Sequence, residues 1–520
     1  MYPIGLRLVL DRISDEMDNA KEHFSMTTTL VTPEFLSSWN IQDALSSSNM
    51  NRLFPTWSKI LDAATQSKRA EKNQVRTPEL ATQVLHLRSA NCAKFQSIVG
   101  LFAWASSCSR QAIEFLSRCS LSTSFTGAYN TIKALANRCV AIACYIVLTR
   151  PTALALDNIN LKTSLFVEQT GSDSTPHKVQ SGTFAVIYEL YGVTNPNHML
   201  LSPILSRLQA SQPFSMADFR PSTTQRRIYL SQTSVNIIRT LLTYSPAFSS
   251  YTHSAAICNI ARRPLPADLI TVFHPLRVST IEEASVEGNL RVHDDIYMTQ
   301  LQRRPEDMNT YAIPLIADQL TNKFFQIGIG LFHLQMNLAW CLLNKHHHSE
   351  DQIGSLAYFF TIMNKKRLNG EKPDYHTLTT ALLQIRHGLL LNAWFAKCGK
   401  ADLDKFARSN PTPQQLHSIA MDILLDLATP LDPCMDSDEA DPSILNPADD
   451  PIHQNTRMLL RDLLYFEEVA NAISSGDFGR IEDILPDIAC IFRGGGSNNY
   501  STEILHLLYN LKVVWTPEFA

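Results

Sequence analysis

Two short apolar runs that end in aspartate, Thr152-Ala-Leu-Ala-Leu-Asp157 and Ile313-Pro-Leu-Ile-Ala-Asp318, interrupt a chain whose apolar residues otherwise recur at helical spacing. This switch of period limits the possible folds more than any other feature. An amphipathic helix repeats its apolar residues every three to four positions, whereas a buried strand shows a short run or strict alternation. Leu85, Phe95, Ile98, Val99, Phe102 and Trp104 keep the helical spacing ahead of the first run, and Ile132, Leu135, Val140, Ile142 and Ile146 continue it. The stretch from Val179 to Tyr188, VQSGTFAVIY, is rich in β-branched and aromatic residues and reads as a strand. Residues 264–276, PLPADLITVFHPL, have room for another. Pro314 puts its run at a sheet edge or at a strand's beginning, since proline has no N–H to give to a ladder. Only 18 glycines in 520 residues speak against a turn-rich all-β protein. The chain therefore reads as an α-rich α+β or α/β protein.

The organisation follows from these periods. Residues 1–75 are polar and rich in Ser and Thr, and read as a loosely ordered N-terminal arm. Residues 76–150 read as a helical region, and 151–321 hold the strand-type runs. Residues 322–475 read as a long helical block that contains an acidic loop, 429–453, with seven acids, five prolines and no Lys or Arg. Residues 476–520 form the last helices, after the break at Gly476-Asp-Phe-Gly479 and around the joint Gly494-Gly-Gly496.

Charge and cysteine usage restrict the function classes. The net charge is −4, a poor footprint for a dedicated nucleic-acid binder, which usually carries a basic domain. The acidic loop alone accounts for the deficit, so a DNA-facing surface is confined to local patches. Ten cysteines occur without a C-x-x-C pair, which removes zinc ribbons and thioredoxin-like chemistry and points to buried, reduced thiols. The N-terminus lacks the long apolar core of a secretory signal. The longest apolar stretch, Phe324 to Leu343, carries Gln326, His333, Gln335 and Asn337, too many polar groups for a membrane span. An intracellular location, nuclear or cytoplasmic, is expected, with no membrane association.

The chemistry with the best claim rests on the two strand-end acids. Carboxylates backed by a core are how a fold brings distant acids together, and two or three of them can hold divalent ions for phosphoryl transfer. Asp157 and Asp318 occupy such positions, and Glu503 is available on the last helix. Their spacings are too long to form a motif, and strand-end acids more often cap turns. His333 lies on an apolar helix face, where a satisfied core histidine is the plainer reading. His346-His-His348 reads as a solvated helix terminus. Lys365, Lys366, Arg367 and Lys372, with Trp340, Tyr358 and Tyr375 nearby in sequence, could meet a phosphate backbone, although such clusters are most often solvated faces. No H-E-x-x-H, G-x-S-x-G or P-loop pattern is present.

At these same positions the sequence resembles the fungal domain-of-unknown-function family 6589, whose hallmark is a Gly-Asp-Gln-Leu-Thr segment. The segment reads Ala317-Asp-Gln-Leu-Thr321 here, followed by Gly330-Leu-Phe-His-Leu-Gln-Met336 and Pro373-Asp-Tyr-His376. Upstream, Asp157-Asn-Ile-Asn160 and Ser181-Gly-Thr183 look like family elements. Downstream, Gly476-Asp-Phe-Gly-Arg480 and Asn499-Tyr-Ser-Thr-Glu503 look like its closing motifs. The likeness runs from about residue 75 to the end. This family is itself similar to transposases with a ribonuclease-H-like core.

The resemblance implies such a core, interrupted by a large helical insertion and preceded by a helical N-terminal region. It implies that Asp157, Asp318 and Glu503 are catalytic and hold Mg2+, that Gln319 and His333 support them from behind, and that DNA is the partner. The expected function is a transposase-derived protein whose ancestral chemistry is metal-dependent cleavage and transfer of DNA strands. Ala317 replaces the usual glycine, and the chain ends soon after Glu503, where family members usually continue. A truncated or inactive descendant is therefore part of the expectation. The competing expectation is a non-catalytic helical interaction protein.

Overall fold

In the computed structural model, the structure describes residues 2–40, 46–65, 77–164, 177–281, 285–317, 328–370, 373–399, 402–429 and 450–520. These residues are mostly helical, with one small mixed sheet. The chain divides into two units. The first comprises Met1–Thr149, His274–Val278 and Ile296–Gln302; the second comprises Arg150–Phe273, Ser279–Asp295 and Arg303–Ala520.

In the first unit, helix α1 (Tyr2–Phe24) packs with α2 (Pro55–Thr65) and α3 (Thr77–Arg88). Met17, Ala20, Phe24, Met50, Phe54, Ala81 and Leu85 make one apolar core. The Glu16 carboxylate accepts the backbone N–H groups of Thr56 and Trp57 and so satisfies orphan donors at the start of α2. The stretch expected as a loose arm thus contributes helices to a shared core. Its seam, Ile13, Met17, Ala20 and Phe24, has helical spacing that short polar interruptions obscure in the sequence. Helix α4 (Phe125–Thr149) is, among the described residues, the one helix long and apolar enough to cross a membrane by length and composition. It buries Ala128, Thr131, Ala143 and Ile146.

The sheet has the order β3-β2-β1-β4-β5. Strands β1 (Thr152–Ser164) and β2 (His177–Glu189) form a long antiparallel hairpin in which Asp157 opposes Phe184. The short strand β3 (Phe273–Pro275) falls in the segment expected to hold one. Strand β4 (Leu315–Ala317) runs parallel to β1, with Leu154 opposite Leu315 and Ala155 opposite Ile316. Strand β5 (Gly328–Ile329) runs parallel to β4. Pro314 precedes β4, and its carbonyl accepts the Leu154 N–H at 2.9 Å. Its place at the strand's beginning costs the ladder no donor.

The helices of the second unit start where their caps dictate. α5 (Thr223–Tyr244) begins with a reciprocal Ser222–Gln225 capping box. α6 (Leu331–His346) follows β5 directly. α7 (Tyr375–Lys397) is capped by Asp374, and α8 (Pro413–Leu427) by a Thr412–Gln415 box with Pro413 at its first position. α9 (Pro451–Ser474) is capped by Asp450, so the acidic stretch ends in a helix start. α10 (Phe478–Gly494) and α11 (Asn498–Tyr509) complete the unit.

One core joins α6, α7, α9, α10 and α11 through residues such as Leu338, Leu382, Phe466, Ile488, Phe492 and Leu508. The helical block up to 475 and the helices after it therefore share a hydrophobic core. A second cluster centres on Trp394, whose indole N–H donates to the Ile237 carbonyl at 3.1 Å.

Candidate functional site

Strands β1, β4 and β5 point the same way, so their carboxyl ends lie on one side. The register puts the ends of β4 and β5 level with the region of Asp157, two residues beyond the paired Ala155. In open sheets with parallel strands, that edge is where functional groups collect, because the loops leaving it converge.

Asp157 is exposed at that level, but in the middle of β1 and not at its end as the short apolar run suggested, because the strand runs on to Ser164. Its Oδ1 accepts the Asn158 backbone N–H at 2.8 Å. Its Oδ2 lies 3.5 Å from Nε2 of His333, in the first turn of α6. The His333 contact holds the Asp157 carboxyl below the ordinary carboxylate range, the Asn158 N–H adds to the effect, and partial burial opposes both. Gly330 makes room for this arrangement: a Cβ on it would come to 3.3 Å from the His333 ring.

His333 is tied to the last helix through one residue. The Asn337 side-chain amide donates to the His333 carbonyl at 2.8 Å and to the Tyr500 hydroxyl at 2.7 Å. The Tyr500 ring stacks on Phe492 with centroids 5.3 Å apart. Glu503 lies one turn beyond Tyr500 and is half-buried, and α11 packs against β5. In the sequence Asn337 counts only as a polar interruption of an apolar stretch, yet its spacing of four from His333 is a helical one that places both on one face.

Asp318 and Gln319 lie outside the described residues, as does Lys372. Among the described residues, no three of His, Cys, Asp and Glu form a group that could hold a metal. Asp157 and His333 are thus brought together, and the described residues do not join Glu503 to them as a ligand set.

The basic cluster is elsewhere. Lys365 donates to Gln384 at 2.6 Å, while Lys366 and Arg367 are exposed. Asn369, in the same turn, contacts His347 at 3.3 Å, at the far end of α6. That is about 20 Å from His333 along the helix axis. Lys365, Lys366 and Arg367 therefore do not adjoin Asp157.

The histidine tract differs from its expected solvation. His346 is buried and lies 2.9 Å from Oδ2 of Asp462, which also accepts from Lys345 at 2.7 Å. Arg461 pairs with the other oxygen at 2.7 Å. Burial alone pushes the Asp462 carboxyl up, but His346, Arg461 and Lys345 outweigh it and hold the group at about 2. Adjacent histidines on a helix end do diverge; one of them diverges inward.

The Gly476-Asp-Phe-Gly-Arg480 motif is structural. The Asp477 carboxylate accepts the backbone N–H groups of Arg262 and Arg263 at 2.8 and 2.7 Å. Phe478 lies under the Arg263 guanidinium. A Cβ on Gly479 would meet Arg262 Cβ at 2.7 Å, so only glycine allows this approach. Arg480 pairs with buried Glu468 at 2.8 Å, and Asn236 donates to the same carboxylate.

Of the cysteines described, Cys92, Cys341 and Cys398 are buried and Cys108, Cys119, Cys258 and Cys490 are exposed; all are free thiols. The expectation of buried thiols holds for only part of the set.

The chain belongs to a family of unknown function (DUF6589), whose model matches residues 209–520. The match includes Asp318, His333, Glu503 and the Asp477 clamp, and begins after Asp157 and the β1–β2 hairpin. No curated protein and no solved structure matches the chain.

Proposed function

We propose that the protein descends from a transposase with a ribonuclease-H-like core, whose ancestral reaction is metal-dependent cleavage and transfer of DNA strands. The single observation that carries this reading is the parallel pairing of β1 with β4. Two-metal chemistry needs carboxylates within a few ångströms of each other, and the paired residues stand two positions before Asp157 and Asp318. Asp157 is exposed and its contacts favour the ionised form, which suits a hard cation that prefers oxygen ligands.

In this reading Asp157, Asp318 and Glu503 would hold Mg2+, which when bound activates an attacking oxygen and stabilises a leaving one. His333 orients the Asp157 carboxylate, and Asn337 and Tyr500 fix the helix that carries His333 against the helix that carries Glu503. Gln319 would support the adjacent Asp318. DNA would reach this edge without help from Lys365, Lys366 and Arg367.

The test is nicking of supercoiled DNA by the full chain with Mg2+ or Mn2+. Asp157→Asn and Asp318→Asn should each remove the activity. Full activity after either substitution would show the assignment to be wrong.

A second reading, a non-catalytic helical interaction protein, is favoured by the motif at 476–480. Every side chain of that motif serves packing or loop anchoring rather than chemistry. Absence of nicking with either metal, in protein that is folded by circular dichroism, would favour it.

A further inference from the structure

A cleft of about 460 Å³ opens beside α10 and α11, away from the acid–histidine pair. Its volume falls in the range of small-molecule sites, roughly 300–1,000 Å³. Its walls are apolar: Phe214, Met216 and Phe219 on one side, Ala489 and Leu505 on the other. Ser501 and Thr502 add hydroxyls. Among the described lining residues, Arg493 is the one charged group.

The cleft is held open by contacts outside it. Ser211 and the Tyr509 hydroxyl are 2.6 Å apart, and Phe214 packs edge-on against the Tyr509 ring. Ser215 and Asp218 form a reciprocal capping box that sets the turn of Met216 and Phe219. Lys512 donates to the Asp218 carbonyl. One wall is therefore strapped to the last helix before any ligand arrives, which lowers the ordering cost of binding.

Arg493 spends one N–H on the neutral Asn498 side chain at 2.7 Å. A guanidinium has five N–H donors in a planar fork that matches a carboxylate. One cation at the rim of an apolar cleft complements one negative charge on an apolar body. From this we propose that the cleft binds a small amphiphilic carboxylate, its chain between Phe214, Met216 and Leu505 and its head at Arg493.

Cys490 lines the cleft and has an exposed thiol, so it reports occupancy directly. The experiment measures maleimide labelling of each cysteine in the full chain, by mass spectrometry, with decanoate or decanol at submicellar concentration. Decanoate should protect Cys490 and leave Cys108, Cys119 and Cys258 unprotected. Affinity should rise about fourfold per methylene from hexanoate to decanoate, as expected for about 0.8 kcal/mol per buried CH₂. Arg493→Gln should weaken decanoate protection about fivefold and leave decanol unaffected, and Arg493→Lys should restore part of it. Met216→Trp, at an exposed wall position, should block the cleft without loss of fold. The proposal is overturned if decanoate gives no protection, protects the other exposed cysteines equally, or binds no better than decanol.

Discussion

His333 Nε2 stands 3.5 Å from Asp157 Oδ2, joining the first turn of a helix to an exposed carboxylate of β1. The contact is the largest single cause that lowers the Asp157 carboxyl, ahead of the Asn158 N–H. His333→Ala should therefore raise the Asp157 pKa toward its ordinary value near 4, read by NMR titration of carboxyl-labelled protein. The sign for stability follows from linkage. A lowered folded-state pKa stabilises above the unfolded value, and the contribution fades as pH falls through the folded value. An unchanged Asp157 titration in the variant would remove His333 as its partner.

Asn337→Ala should separate two effects. It cuts the bond to Tyr500 and the bond to the His333 carbonyl. The expected stability loss is about 1–2 kcal/mol in urea unfolding. If nicking activity exists, it should fall further than stability explains, because the helices bearing His333 and Glu503 lose their link. A variant as stable and as active as the parent would show the link to be incidental.

Asp462 carries the largest electrostatic prediction. It is fully buried among Lys345, His346 and Arg461. Asp462→Ala leaves Lys345 and Arg461, with the His346 ring, around an empty acid position and should cost about 3–5 kcal/mol. Its carboxyl is held at about 2, below the ordinary aspartate range. The group therefore contributes about 2 kcal/mol above pH 4, and that contribution is lost as pH falls toward 2. Denaturant midpoints across this window should decline less in Asp462→Asn than in the parent.

Gly479→Ala should strain the clamp, since the new methyl meets Arg262 Cβ at 2.7 Å and Arg263 N at 3.0 Å. Overpacking of this kind costs about 1–3 kcal/mol. Asp477→Ala should cost a similar amount by orphaning two backbone N–H groups. Both variants should speed tryptic cleavage after Arg262, the Arg263 bond being protected by Pro264. Cleavage at the parental rate would mean that the 260–265 segment is held by something other than Asp477.

Much of this architecture was legible before any coordinates. The change from helical to strand period at Thr152 and again at Ile313 located β1 and β4, because backbone conformation responds to local spacing of apolar side chains. Pro314 marked the start of its strand for an equally local reason, the missing N–H. The acidic stretch, read as a loop through residue 453, hid a helix start: the Asp450 carboxylate caps α9 from Pro451. Where polar residues interrupt a seam, as in α1, the same reasoning read a packed helix as a loose arm.

What a side chain touches across the chain was not legible. Nothing local distinguishes His346, buried against Asp462, from exposed His348 two residues on, since the difference is which face of the helix end meets α9. Nothing local separates Lys365 from the sheet edge by the length of α6. The sequence by itself determined the order and type of most elements, because these follow from propensity, capping and apolar period along a few residues. Only the tertiary structure decided that Asp157 meets His333, that Asp477 anchors Arg262 and Arg263, and that Asp462 is buried among Lys345, His346 and Arg461. Those pairings join residues far apart in the chain, and they depend on strand register and helix packing that no short segment encodes.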